Sequence, residues 1–268
     1  MSHDSTKKTI TVALGVCLVC SVLVSSAAVG LNSIQTANKK LDKIKNILAA
    51  GDLKSEGQNP ETIYKEKVKP IVIVVKSGDV LPESKYDEFT KPESFDIKSI
   101  VQNPDYSTAI AADQDIAGIK KKPNYMVIYE ILGKENEVEK FILPIYGKGL
   151  WSTLYGFLAL DKDLQTVKGI TFYEHGETPG LGGEVDNPKW KASWNGKQAI
   201  DENGQVVIEI LKGIVDPTNP NANRQIDGLS GSTLTTRGVD HLVKYWLSEQ
   251  GYGPFLAKMK KDGADEKI

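Results

Sequence analysis

Thr9 to Leu31 is an unbroken run of apolar and small residues without a charged side chain, and a stretch of that kind has few ways to fold. At the helical rise, about 22 residues cover about 33 Å, enough to cross the hydrocarbon core of a bilayer. A cleaved secretory signal is the rival reading, because Ser25-Ser26-Ala27-Ala28 resembles a small-residue cleavage site. Those four residues lie inside the run instead of after it, and the run is longer than a usual signal core. The sequence therefore predicts an uncleaved transmembrane helix over 9–31. Lys7 and Lys8 precede it and Lys39, Lys40, Lys43 and Lys45 follow it, so charge alone does not orient it. The only cysteines, Cys17 and Cys20, share one face of this helix. Two ligands do not close a zinc or iron–sulfur site, and both are read as small, soft residues of a membrane helix.

Beyond the anchor, Ile34, Leu41, Ile44, Ile47 and Leu48 recur at helical spacing up to Gly51, a natural terminator. Asp52 to Glu61 is polar and reads as a linker. Strands are predicted at Ile71–Val75, Tyr125–Leu132, Phe141–Tyr146, Leu154–Leu160, Val167–Tyr173 and Val206–Leu211. Short polar turns between successive strands argue for antiparallel pairing. Helices at about Gly238–Gln250 and Phe255–Lys261 would cover the sheet. The expected fold is α+β: a single N-terminal transmembrane helix, then one external domain with a mainly antiparallel sheet flanked by helices. Its expected divisions are 1–8 as a short N-terminus, 9–31 as the membrane helix, 32–60 as juxtamembrane helix and linker, 61–262 as the domain and 263–268 as a charged tail. Residues 78–123 carry few signals. With 33 basic and 35 acidic residues and no matching motif, nucleic-acid binding is not expected.

Three segments carry chemistry. The run from Asp227 to Thr236 packs Ser230, Ser232, Thr233, Thr235 and Thr236 around Gly228 and Gly231, ahead of an amphipathic helix formed by Val239, Leu242, Val243, Trp246 and Leu247. A hydroxyl-rich turn at a helix N-terminus is either a plain cap or an anion site, typically for phosphate. The second segment is His175-Gly176-Glu177-Thr178-Pro179-Gly180-Leu181-Gly182-Gly183, and the third is Gly147-Lys148-Gly149-Leu150-Trp151 followed by Tyr155-Gly156-Phe157. Other chemistries fit less well. A nucleophile elbow at Ser230 fails because Ser232 stands where its second glycine belongs. A dinucleotide fingerprint at Gly180-Leu181-Gly182 fails because Val185 takes the third glycine position. His175, Glu177 and Glu184 match no metal-ligand spacing, and no metal ligand is assigned.

The run from Asp227 to Thr233 resembles the flavinylation motif of the FMN-binding domain family, with Ser232 where that family usually has Ala. The glycine-rich loop after His175 resembles the family's flavin-side loop. Together with the third segment and the anchor, the pattern is similar to the C subunits of Na+-translocating NADH:quinone oxidoreductases. The Rnf electron-transport complex has a related subunit. The resemblance implies FMN joined by a phosphodiester to the Thr233 hydroxyl, with Thr235 as the rival attachment point. It also implies that a separate flavin transferase does the joining and that the chain has no catalytic residue of its own. Ser230, Gly231 and Ser232 would belong to the turn that binds the cofactor's phosphate, and Asp227 would serve either as an orienting acceptor for that turn or as a recognition element for the modifying enzyme. Thr178, Gly180, Leu181 and Gly182 would lie against the isoalloxazine. Trp151, Tyr155, Trp190 and Trp194 are candidates to stack on it, and Lys212 or Arg237 to offset phosphate charge. The implied setting is a multi-subunit respiratory complex in a bacterial inner membrane, with the domain on the periplasmic side, relaying electrons from NADH to ubiquinone during Na+ export. A membrane-anchored structural or binding subunit without flavin is the non-redox alternative.

Overall fold

The computed structural model describes residues 5–53 and 57–265. The chain divides into two compact units, one up to Lys43 and one from Ile44. Helix α1 (Thr6–Ala50) supplies the first unit and its own last turns to the second. Its apolar side chains from Ile10 to Ile34 are exposed. It is long and apolar enough to cross a membrane, with a mean hydropathy of 2.5 over its most apolar window. No break separates the expected anchor from the expected juxtamembrane helix. Helix α1 ends at Ala50, before Gly51, as the glycine predicts.

The second unit begins earlier than the expected boundary at 61, because Ile44, Ile47, Leu48 and Ala50 are buried in its core. Gly169 lies so close to this helix end that an added Cβ would sit 2.6 Å from the Ala50 carbonyl oxygen. The Lys140 ammonium donates to the Gly51 carbonyl at 2.6 Å. Of the expected linker, 54–56 lie outside the described residues, and its end opens α2 (Pro60–Lys67), capped by the Asn59 side chain. The N-terminal residues 1–4 and the end of the charged tail, 266–268, lie outside as well.

Five strands form one antiparallel sheet in the order β1, β4, β5, β6, β7: β1 (Val68–Val74), β4 (Tyr125–Leu132), β5 (Val138–Lys148), β6 (Thr153–Asp161) and β7 (Val167–Glu174). Each contains or nearly contains a predicted strand. The illegible stretch holds α3 (Ile97–Gln102) and a small hairpin of β2 (Ser107–Ala109) with β3 (Lys121–Pro123). Helix α4 (Pro188–Ala192) follows the sheet. The strand expected over 206–211 shrinks to β8 (Glu209–Ile210), which pairs in parallel with β9 (Gln225–Ile226) outside the main sheet. Its apolar residues are satisfied by the core, while its backbone finds partners outside the main sheet, Ile210 N–H at Asp240 Oδ1 and Leu211 N–H at Ile226 O.

Two helices close the unit. Helix α5 (Thr233–Leu247) starts five residues before the expected Gly238, and α6 (Gly253–Asp265) is longer than its apolar pattern indicated. Phe141 meets Phe255 of α6 edge-on, whereas its neighbour Ile142 lies beside Gly51. Alternate residues of β5 thus face opposite layers, which is why the strand reads as a continuous apolar run. Strand β4 pairs with β5 only as far as Tyr129 opposite Ile142. Past that point the carbonyls of Pro144 and Tyr146 accept instead from the Tyr252 hydroxyl (2.6 Å) and the Trp246 indole N–H (2.7 Å). Proline is tolerated in this strand because it needs no ladder donor where the pairing with β4 has stopped.

Candidate functional site

The three chemical segments converge on one buried carboxylate. Glu177 is 5 % exposed, and its Oε1 accepts from the amides of Trp151 (3.0 Å) and Ser152 (3.2 Å). Its Oε2 accepts from the Leu150 amide (3.3 Å) and the Thr235 hydroxyl (2.6 Å). Burial acts to raise this carboxyl, but the Thr235 hydroxyl and the amides of Trp151, Ser152 and Leu150 outweigh it and hold it below the ordinary glutamate value. A depressed carboxyl stabilises the fold above its unfolded pKa, and that contribution disappears as pH falls through the folded one. The melting temperature of the chain should therefore fall as pH drops below about 4.3, the ordinary glutamate value. Glu177→Gln should flatten that decline, and equal slopes in both proteins would refute the assignment.

The glycines of the motifs make these approaches possible. A Cβ at Gly182 would lie 2.5 Å from Thr235 Oγ1, and one at Gly149 would lie 2.6 Å from Glu177 Oε1. Where α5 crosses the end of β5, a Cβ at Gly238 would sit 2.5 Å from the Lys148 carbonyl oxygen. Gly238→Ala favours the helix by about 1 kcal/mol, yet forcing apart backbone against backbone costs about 1–3 kcal/mol. We expect net destabilisation by urea titration, and a more stable variant would show that this crossing has slack.

Helix α5 begins at Thr233. Its first backbone bond runs from Thr236 N–H to Ser232 O (2.9 Å), so the amides of Thr233, Leu234 and Thr235 precede the intrahelical ladder. Asn59, Asp96 and Asn187 cap their helices through their side chains, whereas Ser232 makes no cap bond and its buried hydroxyl has no partner among the described residues. Gly231 has φ +71°, a conformation that favours glycine. The Thr236 hydroxyl accepts from Leu229 N–H at 3.1 Å. Thr235 is fully buried, while Ser230, Gly231 and Thr233 are exposed. The two rival threonines thus differ sharply. One hydroxyl is spent on Glu177, and the other belongs to an exposed residue at the positive end of a helix.

Leu150, Trp151, Leu181 and Leu234 are four of the exposed large apolar side chains of this unit, and all four belong to the segments that Glu177 joins. Leu181 also reaches Gly231, where an added Cβ would be 3.2 Å from its Cδ2. These four side chains, carried by the segments that meet at Glu177, make up an apolar shelf. Thr178 and Gly180 are exposed, with Gly180 at φ +74°, and Gly182 is buried. The Leu181 amide donates to Thr178 O at 3.1 Å, so its side chain, not its N–H, is free to meet a ligand.

Several expected roles change. Trp190 and Trp194 are buried against each other with ring centroids 5.5 Å apart. They are core, because an indole packed this deeply presents no face. Tyr155 stacks on Tyr146 at 5.6 Å and carries the Lys98 ammonium 4.9 Å from its ring centre, so it too is occupied. Trp151, at 68 % exposed, is left as the stacking candidate. Asp227 braces a neighbouring loop, not the turn: its Oδ1 accepts from Val215 N–H (2.7 Å) and its carbonyl from the Trp190 indole (2.8 Å). Lys212 and Arg237 are exposed. His175 Nδ1 accepts from Glu177 N–H (3.2 Å) and its Nε2 meets Asp186 (2.8 Å). No group able to hold a metal ion occurs among the described residues. Glu177 is the residue that sequence reasoning missed. Its signal was a lone charge inside a loop of glycines and small residues.

These features suit a phosphate-linked flavin: unbonded amides and an exposed hydroxyl at a helix N-terminus, an unpartnered buried hydroxyl next to them, and an apolar shelf alongside. The sequence matches the model of the FMN-binding domain family over residues 149–248, a span that contains all three segments except Gly147 and Lys148. The C subunit of the Na+-translocating NADH-quinone reductase of Pseudomonas aeruginosa is 44% identical, covering 98% of this chain and 99% of its own length. That of Yersinia pestis is 43% identical over 97% of this chain and 95% of its own. The crystal structure of Shewanella oneidensis NqrC superposes with a TM-score of 0.76 at 32% identity, covering 84% of this chain and 99% of that one.

Proposed function

Because the chain belongs to the C-subunit family of Na+-translocating NADH-quinone reductases, we propose that it is an electron relay carrying FMN as a phosphodiester on Thr233. The observation that carries this reading is the contrast between the exposed residue Thr233 and the buried Thr235, whose hydroxyl is bonded to Glu177. Bound there, FMN would supply reversible electron transfer at a fixed position. The chain's own residues do the holding. The amides of Thr233, Leu234 and Thr235 and the helix dipole face the phosphodiester's remaining negative charge, worth about 0.3–1 kcal/mol. Leu150, Trp151, Leu181 and Leu234 offer the apolar surface that an isoalloxazine needs, and Thr178 and Gly180 border it.

Attachment requires a base for a weakly nucleophilic hydroxyl. His241 lies two turns into α5 and is half-buried. A separate flavin transferase fits better. Thr233 Oγ would attack the FMN-side phosphorus of FAD, the phosphoanhydride would break, AMP would leave, and the hydroxyl proton would pass to the transferase. In the complex, the other subunits would pass electrons from NADH towards ubiquinone as Na+ is exported. Helix α1 would anchor the chain in the bacterial inner membrane, with the domain on the periplasmic side. Identity over 98% of the chain to a quinone-reductase subunit supports this assignment over the related Rnf subunit.

The test is a peptide map of the chain produced with a flavin transferase. The fragment spanning Thr233 should gain the mass of FMN less water, and the denatured band should fluoresce under ultraviolet light. A colourless chain with that fragment unmodified would leave a membrane-anchored scaffold.

A further inference from the structure

The geometry points to Glu177 as the positioning residue that assembles the flavin shelf, an inference that rests on the covalent reading above for its ligand. One carboxylate bonds the Leu150–Ser152 turn, its own glycine-rich loop and helix α5. Among the described residues no backbone ladder ties those three segments together at this point, and the Ser152 hydroxyl, which accepts from Gly176 N–H at 2.6 Å, ties the turn to the loop but not to the helix. Strand β5 and β6 diverge into the turn after Lys148 pairs with Thr153, and the 175–182 loop leaves β7 at Glu174. Without the carboxylate, three adjacent amides and a buried hydroxyl would lose their acceptor together.

Two consequences follow for the shelf. Trp151 has no packing of its own to hold it, since its side chain is largely exposed and its backbone is fixed through Glu177 and neighbouring turn bonds. Thr235 is held with its hydroxyl turned inward, and Thr233, two residues earlier on the helix, is left on the open side. Close to those contacts along the chain, the charged and titratable side chains are Lys148, His175, Glu184, Asp186 and Arg237; further along α5, Lys244 pairs with Asp240 and His241 is half-buried. Lys148 donates to Trp151 O, His175 pairs with Asp186, and Glu184 accepts from Asn187. Arg237 is exposed. None of the other four bridges the three segments.

Two variants of the full chain, produced with and without the transferase, test this. Glu177→Gln puts an amide donor among donors. Thr235→Val removes only the bond to the helix and keeps the side-chain shape. Both should still carry flavin on Thr233, but held loosely: lower flavin fluorescence anisotropy, a weakened visible circular dichroism signal, and iodide quenching raised about threefold. In the unloaded chain, Glu177→Gln should speed amide hydrogen exchange at Leu150, Trp151 and Ser152 by about tenfold, as loss of a hydrogen bond to a charged group implies. Wild-type anisotropy, dichroism and quenching in both variants would overturn the inference. If Glu177→Gln does not fold, Thr235→Val decides. If the wild-type chain carries no flavin, the covalent reading fails, and hydrogen exchange in the unloaded chain decides whether Glu177 assembles the shelf. Unchanged exchange there would overturn it.

Discussion

Thr233→Ala is expected to give a folded, membrane-anchored chain with no covalent flavin at all. Thr233 is exposed, its side chain makes no hydrogen bond among the described residues, and it occupies the first residue of α5. Alanine is tolerated at such a position, so stability should change by no more than about 0.5 kcal/mol. The loss is all-or-none because the hydroxyl oxygen would itself be part of the phosphodiester. Thr233→Ser should restore attachment. Thr235→Ala should do the reverse: flavin stays, while loss of a buried donor to Glu177 costs about 1–3 kcal/mol. In-gel fluorescence and urea denaturation of the two variants separate these outcomes. Loss of flavin in Thr235→Ala with retention in Thr233→Ala would move the attachment point.

Trp246→Ala should destabilise the chain more than any of the other substitutions named above. The indole is fully buried, with Tyr146, Tyr252 and Tyr245 rings at 5.0, 5.4 and 5.6 Å. Its N–H satisfies the Tyr146 carbonyl at a point where β5 has lost its β4 neighbour. Emptying such a site costs about 3–5 kcal/mol, and the orphaned carbonyl adds about 1–3 kcal/mol. Against a typical total of about 5–15 kcal/mol, much of the native population is at risk. Trp246→Phe should recover most of the packing but not the hydrogen bond. Trp151→Ala, by contrast, removes an exposed side chain and should leave the urea midpoint nearly unchanged. A mild Trp246→Ala would mean that α5 is held to the sheet by other contacts, and the Gly147–Leu242 approach would be the first to consider.

Much of the architecture was legible in the sequence for local reasons. Strands β4 to β7 are β-branched or aromatic runs separated by short turns, two of them polar and one rich in glycine, and each local signal agreed with the sheet it built. The 206–211 run misled because apolar side chains show that a segment is buried without showing what its backbone pairs with. Helix α5 was cut short because Thr233, Thr235 and Thr236 look like loop residues by propensity. Tertiary bonds from Thr235 to Glu177 and from Leu229 to Thr236 override that preference. Trp190 and Trp194 read as stacking candidates in sequence, but an indole's sequence neighbours do not reveal whether its faces are already covered.

The sequence by itself determined the membrane-length helix, the antiparallel α+β plan and the three segments that mark a flavin domain, because each is written in residues close together along the chain. Only the tertiary structure decided that the helix begins at Thr233, that Thr235 is closed off, and that Glu177 binds the three segments together. Those outcomes depend on a carboxylate meeting a hydroxyl 58 positions away, and exposure at each threonine is a property of that meeting, not of either residue's neighbours.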